Sequence, residues 1–123
     1  LPGASRHHWG TDIDIFDAAA MPDGYHLKLV AEETVDDGIF APLHYWLDGQ
    51  LDALNGFYRP YVNDTGGVLP ERWHLSYAPL SRVYASLQQL QVLEQCMREN
   101  DICLVETVLQ NLKVIYERFV HIE

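Results

Sequence analysis

Residues 12 to 16, DIDIF, alternate polar and apolar side chains with the period of two that marks a half-buried strand. The pattern puts Asp12 and Asp14 on one face and Ile13 and Ile15 on the other, toward the core. After a loop carrying Pro22 and Gly24, the stretch YHLKLVAEETV has neither clear period and is read as extended or irregular. From Phe40, apolar residues recur at Leu43, Leu47, Leu51 and Leu54, with Pro42 near the start and Gly56 beyond the end, which predicts a helix over 40–54. FYRPYV and ERWHLSYA flank the turn-forming run NDTGGVLP and predict a β-hairpin with a long loop. Pro60 makes its first strand short or an edge. In its second strand His74 and Ser76 share one face, and Trp73, Leu75 and Tyr77 the other. Beyond Pro79, Val83, Leu87, Leu90 and Met97 mark one amphipathic helix. Val105, Val108, Leu112, Ile115 and Phe119 mark a second, with Asp101 as its N-cap. The expected architecture is α+β: a small antiparallel sheet flanked by helices, closed by an antiparallel helical pair.

At 123 residues the chain fits one domain, and its 48% hydrophobic content is that of a folded protein. A net charge of -10 with 8 Lys and Arg excludes a phosphate-binding surface, so nucleic acid is not an expected partner. No apolar run reaches the roughly 20 residues of a membrane-spanning helix. The opening residues LPGAS carry neither a starting Met nor a signal-peptide pattern, consistent with a processed chain or a piece of a longer one. Cys96 and Cys103 flank the turn-like MREND; a disulfide could close that loop, but two buried free thiols are the expectation.

The chemistry lies in two segments. Ser5, His7, Gly10 and Asp14 form S-x-H-x-x-G-x-x-x-D, and Glu71, Trp73 and His74 form E-x-W-H about sixty residues later. His and carboxylate side chains of this kind hold zinc, and a catalytic site keeps one position open. Gly10 would allow a tight backbone approach between His7 and the strand. Isolated histidines more often sit on surfaces or in satisfied core positions, so the spacing is what raises this set above the ordinary.

With these motifs the sequence resembles the LAS group of zinc metallopeptidases, named for lysostaphin, D-alanyl-D-alanine metallopeptidases and hedgehog, and within it the VanY-type carboxypeptidases. The resemblance spans roughly residues 3 to 79, including GFYRPY and GGVLPERWHLSYAP. It implies a single zinc-peptidase domain over 1–123, with the motifs in 5–79 and helices in 80–123. It implies one Zn2+ held by His7, Asp14 and His74, with Glu71 as the catalytic base beside the metal. Water attacks a peptide carbonyl there, and Glu71 takes its proton and returns it to the leaving amine. Since ideal strand geometry would put Glu71 and His74 on opposite faces, Glu71 is expected where Pro70 and the glycine-rich loop bend the chain.

The implied substrate is a peptidoglycan stem peptide ending in D-Ala-D-Ala, in a bacterial envelope, expected to be the periplasm. The alternatives are an L,D-carboxypeptidase or endopeptidase of the same fold, or a zinc-stabilised binding module without turnover. Oligomeric state is open. Ser5, Arg6 and Arg72 are the candidate substrate-binding residues. Arg72 is expected to share the His74 face, where it could meet a substrate carboxylate or the developing oxyanion.

The sequence departs from the family pattern at Asp12, where a small residue is common, and at Arg72, where Pro is. Asp12 could compete for the metal or perturb Asp14, but a hydrogen-bonded or solvated aspartate is the expectation. His8 is expected to be exposed; His26, His44 and His121 carry no motif, and Trp9, Tyr58 and Trp73 are read as packing residues. The family's upstream helices and strand, with an active-site arginine, have no counterpart before His7, so whether Arg6, Arg59 or Arg72 replaces that arginine is undecided.

Overall fold

The computed structural model describes residues 3–51 and 56–121. It is an α+β fold with a three-stranded antiparallel sheet and, among the described residues, five α-helices. A 3-10 turn, Arg6–Trp9, precedes strand β1, Asp12–Asp14. Helix α1 is Ala41–Asp48, β2 is Phe57–Tyr58 and β3 is His74–Tyr77. The strand order is β1-β3-β2. The expected hairpin therefore forms through Phe57↔Tyr77 and Tyr58↔Ser76, and β1 closes the other edge through Asp12↔Ser76, Ile13↔Leu75 and Asp14↔His74.

β1 does not bury the face its pattern suggests: the polar Asp12 is buried while Ile13 and Asp14 are both exposed. Asp12 is 5% exposed, whereas Ile13 is 48% exposed. The 3-10 turn lies over the carboxylate side, and Arg6 supplies the positive charge that makes a buried Asp12 tolerable. The segment 25–35 is irregular except for a 3-10 turn at Ala31–Glu33. Its anchor is the buried Glu33 carboxylate, which accepts hydrogen bonds from the Tyr25 hydroxyl and the Lys28 and Val30 amides.

Helix α1 starts as expected with Pro42 in its first turn but stops at Asp48, where the Gly49 amide closes onto Leu47 and Trp46 carbonyls. The expected end at Leu54 lies outside the described residues. The two long C-terminal helices are each broken. α2, Ala78–Leu87, and α3, Leu90–Glu99, are separated at Gln88–Gln89. The break is held by long-range bonds: Gln88 Nε2 donates to the Ala4 carbonyl at 3.1 Å, and the Tyr116 hydroxyl donates to the Gln88 carbonyl at 2.9 Å. α4, Val105–Gln110, and α5, Leu112–Ile115, lead into a π turn, Tyr116–Val120.

Leu104, with φ 59°, occupies the N-cap of α4, so Asp101 does not cap it. Ala4, Leu93, Met97, Leu112 and Val120 form the buried core of this half. Val83 and Leu87, two positions of the apolar stripe, are 54% and 61% exposed. Cys96 and Cys103 are free, as expected, but exposed and not buried.

Candidate metal and catalytic centre

The 3-10 turn that carries His7 is built by its neighbours in the motif. Ser5 caps it, its Oγ accepting the His7 amide at 3.4 Å, and Gly10 ends it at φ 71° with its own amide on the His7 carbonyl at 3.2 Å. A Cβ at Gly10 would meet nothing within 4 Å, so glycine is required by the left-handed backbone and not by a close approach. The β1–β3 register then sets Asp14 directly across from His74. Asp14 Oδ1 lies 3.5 Å from His7 Nε2 and 3.6 Å from His74 Nδ1. One ligand atom from each of His7, Asp14 and His74 falls within 4.8 Å of the others, the one such group of metal-ligating side chains found among the described residues. Ligands about 2.0–2.1 Å from a tetrahedral zinc stand about 3.3 Å apart, and the two Asp14 contacts, at 3.5 and 3.6 Å, are close to that spacing.

Glu71 joins the cluster because the chain turns before it enters β3. The His74 amide donates to the Glu71 carbonyl at 3.3 Å, a turn through Arg72 and Trp73 that brings positions 71 and 74 to the same side. Glu71 Oε2 is 3.2 Å from His74 Nδ1, and the Glu71 amide donates to the Tyr61 carbonyl at 2.9 Å. Tyr61 also sets its ring edge-on to His74, with centroids 4.8 Å apart, and burial pushes its phenol up to about 12. Tyr61 closes the GFYRPY segment of the family resemblance but is given no role in the sequence reading; it lies outside the paired strand, between Pro60 and the exposed Val62.

Asp12 does not face the metal position. Its Oδ1 accepts from His74 Nε2 at 2.8 Å and from Arg6 Nε at 3.0 Å, its Oδ2 accepts from Thr11 Oγ1 at 2.7 Å, and its main-chain carbonyl is 3.2 Å from His7 Nδ1. Burial works to raise the Asp12 pKa, but the bonds from His74, Thr11 and Arg6 outweigh it and hold the carboxyl well below the usual range. Burial works to lower that of His74, and the bonds to Asp12 and Glu71 outweigh it and raise it.

The candidate substrate-binding residues separate. Ser5 lines an open cleft of about 400 Å³ with His7, Asp14, Glu71, His74 and Tyr61. Arg6 reaches the same cleft but is 4% exposed, and its guanidinium is engaged by Asp12, by Ser76 Oγ at 2.8 Å and by Tyr58 Oη at 2.9 Å. Arg72, expected on the His74 face, instead turns to Asp48 at 2.8 Å, because the turn that recruits Glu71 rotates position 72 away. Asp48 also binds Arg59, whose Nη2 lies 3.4 Å from the fully buried His44 Nδ1.

His8 is exposed and Trp73 is buried, as expected; Trp9 lies under the Arg6 guanidinium, 4.5 Å from it. His26 is exposed and His121 stacks on Tyr116.

Comparison with known proteins fits this geometry. Residues 1–80 match the family model VanY, described as D-alanyl-D-alanine carboxypeptidase. An uncharacterized protein of Haemophilus influenzae is 31% identical over 122 residues, covering 98% of this chain and 92% of that protein. No solved structure matches. The family match contains every member of the His7, Asp14, Glu71 and His74 cluster, and the chain belongs to the VanY family of D-alanyl-D-alanine carboxypeptidases.

Proposed function

We propose that the chain is one zinc-peptidase domain that removes the terminal D-alanine from peptidoglycan stem peptides in the bacterial envelope, on the periplasmic side. The observation that carries this reading is the convergence of His7, Asp14 and His74 with the Glu71 carboxylate in the lining of one open cleft. His7 Nε2, Asp14 Oδ1 and His74 Nδ1 would hold one zinc. The carboxylates of Asp14 and Glu71 match its double positive charge. When bound, zinc supplies Lewis-acid polarisation of a peptide carbonyl and acidifies water to a pKa of about 7.

The remaining work belongs to the protein. Glu71 is tethered by its own amide to Tyr61 and half-open to the cleft, so its carboxylate can accept a proton from the attacking water and deliver it to the leaving nitrogen. The Tyr61 phenol stays protonated at neutral pH and lines the same cleft as a neutral hydrogen-bond donor. Leu29, Val68 and Phe119 give the cleft an apolar wall suited to the methyl groups of alanine. With a net charge of -10, the surface offers no general attraction for an anionic wall polymer, so recognition must rest on this local fit.

The test is mass spectrometry of purified muropeptides after incubation with the zinc-loaded protein. Loss of a single D-alanine from pentapeptide stems is the expected product. Cleavage inside the stem or of cross-links would move the reading to an L,D-carboxypeptidase or endopeptidase, and intact muropeptides at full zinc occupancy would leave a binding module.

A further inference from the structure

We propose that Asp12 is a positioning residue that decides which nitrogen each ligand histidine offers, and thereby sets the affinity for zinc. The proposal rests on the metal-site reading above. A neutral imidazole carries its lone pair on one nitrogen only, and a ligand histidine must aim that nitrogen at the ion. Here the two histidines need opposite choices: Nε2 of His7 and Nδ1 of His74 are the atoms nearest Asp14. Asp12 imposes both. Its main-chain carbonyl can only accept, so at 3.2 Å it keeps the proton of His7 on Nδ1 and frees Nε2. Its ionised carboxylate can likewise only accept, and at 2.8 Å it holds a proton on His74 Nε2 more closely than Glu71 Oε2, 3.2 Å from Nδ1, holds one there, which leaves Nδ1 as the nitrogen to be given up to the ion.

The arrangement is rigid. The Asp12 side chain is 0% exposed, Arg6 Nε fixes Oδ1 at 3.0 Å, and Thr11 Oγ1 fixes Oδ2 at 2.7 Å. Arg6 is fixed in turn by Ser76 and Tyr58. A carboxylate behind a ligand imidazole also makes that ring a stronger donor. The carboxylate that looked like a rival ligand therefore acts through His74, from the side of the ring opposite Asp14.

The experiment measures zinc dissociation constants by competition with a chromophoric chelator for the parent chain, Asp12→Asn and His8→Ala, with folding of each zinc-free protein checked by circular dichroism. Asp12→Asn preserves shape but removes the charge and the obligate acceptor, and should weaken zinc binding by about 10 to 100-fold. His8→Ala removes an exposed imidazole from the same turn, outside this network, and should stay within about threefold of the parent. Asp12→Asn within that same margin, or an equal loss in His8→Ala, overturns the proposal.

Imidazole 15N NMR of the zinc-loaded parent gives a reading that needs no variant. It should find His7 ligated through Nε2 and His74 through Nδ1, and the opposite nitrogen at either residue overturns the proposal. Failure of the parent itself to take up zinc would defeat the underlying metal-site reading and this proposal with it. Zinc binding by the parent that ignores Asp12→Asn defeats the proposal alone.

Discussion

His44 makes the stability of this protein sensitive to mild acid. It is fully buried on α1, its Nδ1 faces the Arg59 guanidinium at 3.4 Å, and its Nε2 has no hydrogen-bond partner among the described residues. Burial first, and then the charges of Arg59 and Arg72, oppose a proton there; Asp48 offsets them only in part, and the pKa falls from 6.5 to about 4. Above pH 6.5 the ring is neutral whether the chain is folded or not, and it contributes no pH dependence. Between 6.5 and about 4 the unfolded chain binds the proton and the folded chain does not, so stability falls as pH falls. At about 1.4 kcal/mol per pH unit, the 2.5-unit gap amounts to about 3 kcal/mol, a large part of a typical 5–15 kcal/mol total. Urea unfolding of the parent and of His44→Gln, followed from about pH 7.5 to about pH 4 with chelator present throughout, isolates this contribution. The parent should lose about 3 kcal/mol relative to the variant across that range. A difference between the two that stays constant with pH to within about 0.5 kcal/mol would refute the reasoning.

Three further outcomes follow from the same geometry. Alanine at His7, Asp14 or His74 should sharply reduce bound zinc, while His8→Ala, which removes an exposed ring, should retain a full equivalent; elemental analysis of the purified variants checks this. Gly10→Ala should cost about 1–2 kcal/mol, seen as a lowered Tm, because φ 71° is strained for an L side chain even though the space is open. Arg72→Ala should leave kcat/KM within about threefold of the parent, since the guanidinium faces Asp48 and not the cleft; a loss of about 100-fold in steady-state assays would return it to the active site.

The parts of the site visible in the sequence are those set by local spacing. Ser5, His7, Gly10 and Asp14 lie within one cap, one turn and one strand, so their order along the chain is nearly their order in space. The bend at Glu71 could be anticipated because a straight strand would separate it from His74. Asp12 is hydrogen-bonded, as expected, but its burial is not legible in a period of two, because the groups that hold its carboxylate, Arg6, Thr11 and His74, come from the preceding turn and from a strand about sixty residues on. Arg72 was misjudged because strand alternation was carried into a turn. The break at Gln88–Gln89 interrupts a continuous apolar period with no Gly or Pro to mark it; contacts from Ala4 and Tyr116 hold it, and these come from distant parts of the chain. Ile13, Val83 and Leu87 show the limit of hydrophobicity as a guide to the core, since each is apolar and about half exposed or more.

The central claim is that His7, Asp14 and His74 hold the metal while Glu71 moves the proton. It is tested most directly by the rate of D-alanine release from a pentapeptide stem, compared between the parent and Glu71→Gln at equal, measured zinc content. The account predicts that Glu71→Gln keeps its zinc and loses about 100-fold or more in kcat, since its amide can hold the same position but cannot accept the proton. Release at the parent rate by the zinc-loaded variant would contradict it.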